Sequence, residues 1–434
     1  MKPLTILSIL FSTFILISCK KESEQVTTNI TNQKDYNNFL EIKENKSIDF
    51  AKAEIAFWQK KYDAAPNQIS FLNQIATNYS ILFEQSAKIE YLYKTEELLI
   101  KSNEALKYSN TGAIRSLARN YITQHRFKEA LVLANKALAI GDGMFETQKL
   151  LFDVQMELGN YTEADKALTK IKNFKDFDYL LRLAKWNDHK GDLKSAINLM
   201  EKAKEQAEFN NNKTLKVWSY SNLGDMNGHA GNIKESYNYY LKTLSIDPNN
   251  SYALKGIAWI TFSHEKNTAE AKRIIDKISV KHNSPDFYLF KSEIAKYENN
   301  PIAKDQNVVA YFTMLSQNNY GAMYNKYNTI LYAEDKLTVN KALEISKIEI
   351  ENRPTPDSYD LLAWSYYNLG EIKKALEIEQ KYVVGKSFEP KLNYHLATIY
   401  KANNLLEKVK PIKEDLKSSS FELGPNLSKV IENL

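Results

Sequence analysis

One cysteine in 434 residues leaves no internal partner for a disulfide, so this chain is stabilised without an oxidised crosslink. Thirteen glycines and ten prolines stand against 27 tyrosines and 19 phenylalanines. That is too few turn-formers for an array of short strands, and it fits long helices with aromatic packing. Apolar runs are short: the longest, from about Leu4 to Ile17, falls below the roughly 20 residues that span a bilayer. An excess of one charge is missing too. The formal net charge is +5 and the basic residues are dispersed, so the sequence carries no electrostatic footprint of nucleic-acid binding.

Catalytic spacings are also absent. His264-Glu265-Lys266-Asn267-Thr268 opens like a zinc-protease helix but has threonine where the second histidine belongs. Val383-Val384-Gly385-Lys386-Ser387 has the end of a phosphate loop, yet Gln380 stands in place of its first glycine. There is no Gly-x-Ser-x-Gly, no paired-cysteine metal site and no calcium loop. The reading is therefore of a non-enzyme that needs no cofactor. His125, His189, His229 and His264 recur about one unit apart, a separation of roughly 10 Å between stacked helices. That is too far to share a metal, and they read as polar residues ending helices.

The single cysteine sits after a basic start and a short apolar stretch, the layout of a secretory signal. Leu16-Ile17-Ser18-Cys19 resembles the lipobox of bacterial lipoproteins. The resemblance implies cleavage before Cys19, a diacylglyceryl group on its sulfur and an acylated amino end, with fatty chains such as palmitate. Thiolate nucleophilicity explains why cysteine occupies the position. Several acyl chains, at about 0.8 kcal/mol per buried CH₂, then hold the chain to a membrane. Lys20 rather than aspartate follows, which in such lipoproteins implies the outer membrane; the run Lys20-Lys21-Glu22-Ser23-Glu24 leaves both its periplasmic face and the cell surface open. Loss of residues 1–18 lowers the formal charge from +5 to +4. From 19 to 46 the chain is polar and reads as a flexible tether behind the lipidated cysteine.

Beyond the tether a repeat emerges. Segments beginning at His125, Gly159, Gly191, Gly231 and Gly370 share a large apolar residue two positions on: Phe127, Tyr161, Leu193, Ile233 and Ile372. A small residue follows five positions on: Ala130, Ala164, Ala196, Ser236 and Ala375. The first three intervals between the small residues are 34, 32 and 40 residues, and Ala271, Ala342 and Val409 continue the series. The physics is that of a helix hairpin. Glycine ends the first helix in the left-handed conformation, the large residue closes the turn, and the small one lets two helix backbones approach. With Leu223-Gly224 and Leu396-Ala397-x-x-Tyr400 upstream and Pro248 and Pro354 as stops, the pattern resembles the tetratricopeptide repeat.

That resemblance implies an all-α, right-handed superhelical solenoid of about nine helix pairs over residues 68–420, with a capping helix at 47–67 and a C-terminal tail at 421–434. The stretch 286–317 is the most degenerate. In this family the first helix of each pair lines the concave face, so Trp218, Tyr252, Trp259, Phe262, Tyr327, Trp364, Tyr367 and Tyr394 are the candidate ligand-groove residues. Arg115, Arg119, Lys149, Asp153 and Lys185 give the N-terminal units a more charged equivalent surface. Exposed aromatic faces in a groove suit recognition. The expectation is a lipid-anchored adaptor that takes a protein or peptide partner along the groove and meets the membrane through Cys19. The alternative is a surface glycan- or nutrient-binding lipoprotein, although such relatives need a large insertion for which the repeats leave little room.

Overall fold

A computed structural model describes residues 29–434; the signal segment and Cys19 lie outside the described residues. Every regular element among them is helical. After helix Lys46–Ala64 come ten helix pairs where about nine were expected. The first four are Ser70–Ser86 with Ile89–Ala105, Thr111–Thr123 with Phe127–Ile140, Met144–Glu157 with Tyr161–Lys170, and Phe177–His189 with Leu193–Phe209. Pair five is Lys213–His229 with Ile233–Ile246. In pair six, Ser251–Trp259 runs on through a π-helical turn, Ile260–His264, before Thr268–Ser279. Pairs seven to ten are Asp286–Tyr297 with Pro301–Gln317, Asn325–Ala333 with Val339–Asn352, Pro356–Asn368 with Ile372–Tyr382, and Pro390–Ala402 with Leu406–Ser418. They stack into a right-handed superhelical solenoid.

The hairpin chemistry read from the sequence is what builds the pairs. Gly159, Gly191, Gly231 and Gly370 all adopt positive φ at the turn, and His125, Lys266, Asn299 and Asn404 do the same in other pairs without being glycine. The small residues are all inaccessible: Ala130, Ala164, Ala196, Ser236, Ala271, Ala342 and Ala375 are each at 0% exposure. At those points nothing larger than a methyl or hydroxymethyl group separates the packed helices.

The superhelix winds tightly enough to pack on itself. Turns inside the early pairs fit against loops joining later ones. Ser86 O accepts from the Asn283 amide at 2.7 Å, and Tyr93 Oη donates to Asn319 O at 2.8 Å. Asn352 Nδ2 donates to His125 O at 3.0 Å, and Arg353 pairs with Glu157 at 3.3 Å. The degenerate seventh pair finds its reason here. Met314 and Tyr320 leave their own stack to form a core with Ile89 and Leu92 of pair one.

Two terminal expectations are corrected. The tether reading of 19–46 fails over its described part: residues 30–45 form a strap across pairs five and six. Within it, helix Gln33–Leu40 buries Tyr36 and Leu40. Glu265 accepts from the Ile30 and Thr31 amides at 2.8 and 2.7 Å, and Tyr36 Oη donates to Glu270 at 2.6 Å. The strap docks through these hydrogen bonds and through Ile30, Tyr36, Phe39 and Leu40 in the core of pairs five and six, few apolar residues in an otherwise polar stretch, which is why its composition reads as unstructured. The C-terminal tail is likewise a helical segment, Ser420–Ile431, that turns back into the concave face.

Gly159 and Gly231 share a left-handed backbone but not surroundings. A Cβ on Gly231 meets nothing within 4 Å, whereas one on Gly159 would lie 3.0 Å from Pro354 O, across the superhelical seam. Both alanine variants carry the backbone penalty of about 1 kcal/mol. Gly159→Ala is expected to lose roughly a further 1 kcal/mol by opening the seam, read as the lower urea midpoint of the two.

Candidate functional site

Five of the eight expected groove residues meet at one cavity of about 690 Å³. Tyr252 and Trp259 come from pair six, Tyr327 from pair eight, Trp364 from pair nine and Tyr394 from pair ten. All five sit on the first helices of their pairs. Trp218 does not reach the cavity. It is 37% exposed and turns its ring edge to Phe177 at 6.1 Å, at the junction of pairs four and five. Tyr367 lies behind Trp364, the rings stacked at 5.0 Å, and lines a neighbouring hollow.

Phe262 is a correction. It is 1% exposed, packed against Trp259, Phe290 and Tyr297. The cause is the π turn that starts at Ile260. A wider turn advances less around the axis per residue, so the residue three after Trp259 falls short of its α-helical position and points into the core. Tyr367, at the equivalent position of pair nine, sits on an ordinary α-helix and stays half-buried.

The polar lining carries both signs. Asp225 accepts from Tyr240 Oη at 2.6 Å and from Tyr252 Oη. Lys326 faces Asp357 at 3.3 Å, and Lys296 and Lys304 each approach Glu334 at 3.8 Å. Lys391 forms no ion pair among the described residues, and burial pulls its ammonium pKa down. Sequence reasoning missed this charged ring, because a lysine on a helix face gives no sign of facing a cavity instead of solvent.

Beneath Trp364 lies a buried polar chain. His395 stacks on the indole at 4.0 Å and donates from Nδ1 to Asp360 at 2.8 Å. Complete burial lowers the imidazole pKa, so the ring is neutral. Behind Asp360 lies Glu379, fully buried, both of its oxygens lacking a protein donor. Burial first, then Asp360, pushes the Glu379 carboxyl far above its ordinary range, so it keeps its proton. The Asp–His pair has the orientation of a general-base dyad, but among the described residues no hydroxyl or thiol hydrogen-bonds to His395. What the arrangement provides is a rigid footing for Trp364.

The four turn histidines separate by context. His189 stacks on Tyr161 at 4.1 Å, and His229 approaches Glu422 of the C-terminal segment at 3.9 Å. His125 offers its carbonyl to Asn352 across the seam. No group of three or more His, Cys, Asp or Glu side chains arranged to hold a metal occurs among the described residues. In the N-terminal half the charged positions pair with one another between neighbouring units. Lys149 meets Asp178 at 2.7 Å and Arg182 meets Asp153 at 2.6 Å.

Residues 219–250 match the tetratricopeptide repeat family model. That segment is the inner part of pair five and its exit to pair six. Among solved structures, yeast Tom70 is similar over 93% of this chain and 96% of its own, at 14% identity and a TM-score of 0.40. Human IFIT1, solved as a dimer with PPP-AAAA, is similar over 72% of this chain and 71% of its own (12% identity, TM-score 0.47). A tetratricopeptide repeat protein from Parabacteroides merdae covers 59% of this chain and 96% of its own (18% identity, TM-score 0.36). No curated protein sequence matches the chain.

Glu379 makes the footing pH-dependent. A carboxyl whose folded pKa is raised stabilises fully below its unfolded value, here 4.5, and that stability is lost as pH rises towards the folded pKa. Glu379→Gln keeps a neutral donor towards Asp360 and removes this term. Its stability relative to wild type is expected to rise between pH 5 and pH 8, by up to about 1.4 kcal/mol per unit. Urea unfolding at several pH values checks this, and a difference that does not change with pH contradicts it.

Proposed function

We propose that this chain is a lipid-anchored scaffold of the bacterial envelope that grips a short segment of a protein partner in its aromatic cavity. The observation that carries the reading is the convergence of Tyr252, Trp259, Tyr327, Trp364 and Tyr394, from four helix pairs, on one hollow of about 690 Å³. That volume falls within the roughly 300–1,000 Å³ of small-ligand sites. It suits a few residues of a partner's chain, not a long extended peptide. Aromatic faces supply contact area at low entropic cost, and the mixed charged rim meets a peptide's polar groups at either end. The helix-pair fold is one widely suited to holding protein segments on its concave side. Among the described residues the pairs follow each other through short loops with no inserted subdomain, the element a glycan-binding arrangement of this kind would need.

The anchoring half of the reading rests on Cys19. Ile30, where the strap begins, is only eleven residue steps away. At no more than about 3.5 Å each they reach roughly 39 Å. The scaffold would therefore work close to the bilayer, whichever side it faces.

Two measurements test the halves separately. Cys19→Ser is expected to abolish fatty-acid labelling and to move the protein from the membrane to the soluble fraction; continued membrane retention would sink the anchor. A photo-crosslinking residue in place of Tyr327 is expected to trap a discrete partner in cells, and the adduct should weaken about tenfold or more when Trp364→Ala removes an anchor ring. Equal trapping from Val132, 67% exposed and away from the cavity lining, would count against the cavity.

A further inference from the structure

The segment after pair ten crosses the concave face to pairs five, six and seven, where it forms one wall of the cavity through Glu422, Leu423, Asn426, Leu427 and Val430. We propose that residues 419–428 are a resident occupant of a docking groove, which a partner segment of the same chemistry displaces. That chemistry is an aromatic side chain, a free main-chain carbonyl beside it, and leucines four residues apart. The proposal rests on the reading that the groove holds a protein segment, and it names which kind.

The groove is shaped for an aromatic ring. Gly228 lies inside helix Lys213–His229, and a Cβ there would come within 2.6 Å of Phe421 Cε1. A helical glycine costs about 1 kcal/mol against alanine, so the missing side chain has a reason, and the Phe421 ring occupies its place. Beside it, two donors converge on one main-chain acceptor: Trp259 Nε1 at 3.0 Å and Ser263 Oγ at 2.6 Å both donate to Phe421 O. A contact to a carbonyl does not depend on which side chain that residue carries. Asn426 Nδ2 then donates to Glu293 O and Oε2 at 2.8 and 2.9 Å.

The same segment is poorly suited to be a permanent wall. Gly424, at φ 76 and ψ 169, breaks it before Pro425, so no continuous helix stiffens it. The cavity of about 690 Å³ remains open beside Leu423 and Leu427, whereas a settled core leaves few voids larger than a water molecule. Docking also brings the Glu422 carboxyl in among Asp188 and Glu389, with His229 and Lys326 facing it. Burial and Asp188 raise the Glu422 pKa against the pull of His229 and Lys326. The far end has its own, separate anchorage. Ile431 is buried with Leu396, Tyr400 and Leu416, and Lys413 Nζ donates to Glu432 O at 2.8 Å. The stretch 419–428 can therefore leave while the chain end stays clamped.

The test uses the full chain and a labelled synthetic peptide, Ser-Ser-Phe-Glu-Leu-Gly-Pro-Asn-Leu-Ser, identical to residues 419–428. A tethered occupant has a local concentration in the millimolar range, so wild type should reject the peptide at about 100 µM. Phe421→Ala removes the resident ring and leaves the groove intact. It should bind the peptide at least tenfold more tightly than wild type, read by fluorescence anisotropy. Gly228→Ala should also free the resident segment, seen as roughly tenfold faster amide exchange over 421–427, but its methyl group fills the ring's place and the peptide should not bind. Unchanged protection of pairs one to four would show that both variants are folded.

If 421–427 stays protected in both variants, or Phe421→Ala frees it without gaining peptide binding, the proposal is overturned. Partner trapping at Tyr327 would be unaffected by that failure. Conversely, peptide binding with no partner trapped in cells would leave this groove real and remove the scaffold reading.

Discussion

The contact on which the rest of the structure depends is the seam where the superhelix meets its own next turn. In an open solenoid each unit touches only its neighbours, and stability is a sum of local terms. Here the Asn283 amide reaches Ser86 O, Asn352 reaches the carbonyl of His125, and Pro354 presses on the bare Cα of Gly159. Such contacts each involve a main-chain group of an early turn, and turns that present little side chain allow them. Each hydrogen bond is worth about 1 kcal/mol, but together they tie pairs one to four to pairs six to nine. The seam also fixes the winding, and the winding brings the first helices of pairs six, eight, nine and ten round one half-open hollow. Rings four pairs apart in sequence can face each other only because the turn is this tight.

The site's character follows from that convergence. On an open surface the five aromatic residues would be scattered half-exposed rings, unremarkable for a soluble protein. Brought round one hollow, they leave polar groups between them that must be satisfied. Asp225 is held by two tyrosine hydroxyls, Lys326 by Asp357, and His395 by Asp360 with a protonated Glu379 behind it. The polar chain under Trp364 gains little stability as a buried network. It fixes the orientation of one ring.

The sequence made the hairpins legible because their requirement is local. A left-handed turn residue, a closing apolar residue and a small residue at the helix crossing are all set within six positions. His125, Lys266 and Asn404 show the limit of that signal, since they take the same backbone conformation without glycine and blur the spacing. Trp259 and Trp364, at equivalent positions of their first helices, do line one cavity. The expectation failed at Phe262 because one π turn re-phased the helix, and nothing in Ile260–His264 announces an i to i+5 ladder. The strap and the returning C-terminal segment were not legible at all. Both bind by reaching groups distant in sequence: Tyr36 to Glu270, and Phe421 to Gly228 and Trp259. Their composition, polar in one case and broken by Gly424-Pro425 in the other, points away from structure when read alone.

The two ends of the chain converge on the same unit. The strap lies against the second helix of pair six, through Glu270 and by Lys277 on Glu41. The C-terminal segment lies against the first helix of that pair, through Trp259 and Ser263. Pair six is also where the π turn interrupts the regular ladder and re-aims the side chains that follow it. Tyr36, at 0% exposure, stands on one side of this pair, and Phe421 on the other. Whatever holds the N-terminus therefore holds the pair that carries the cavity's central tryptophan. The strap and the returning C-terminal segment thus clamp the same pair from its two sides, and the tightly wound superhelix is what brings both to it.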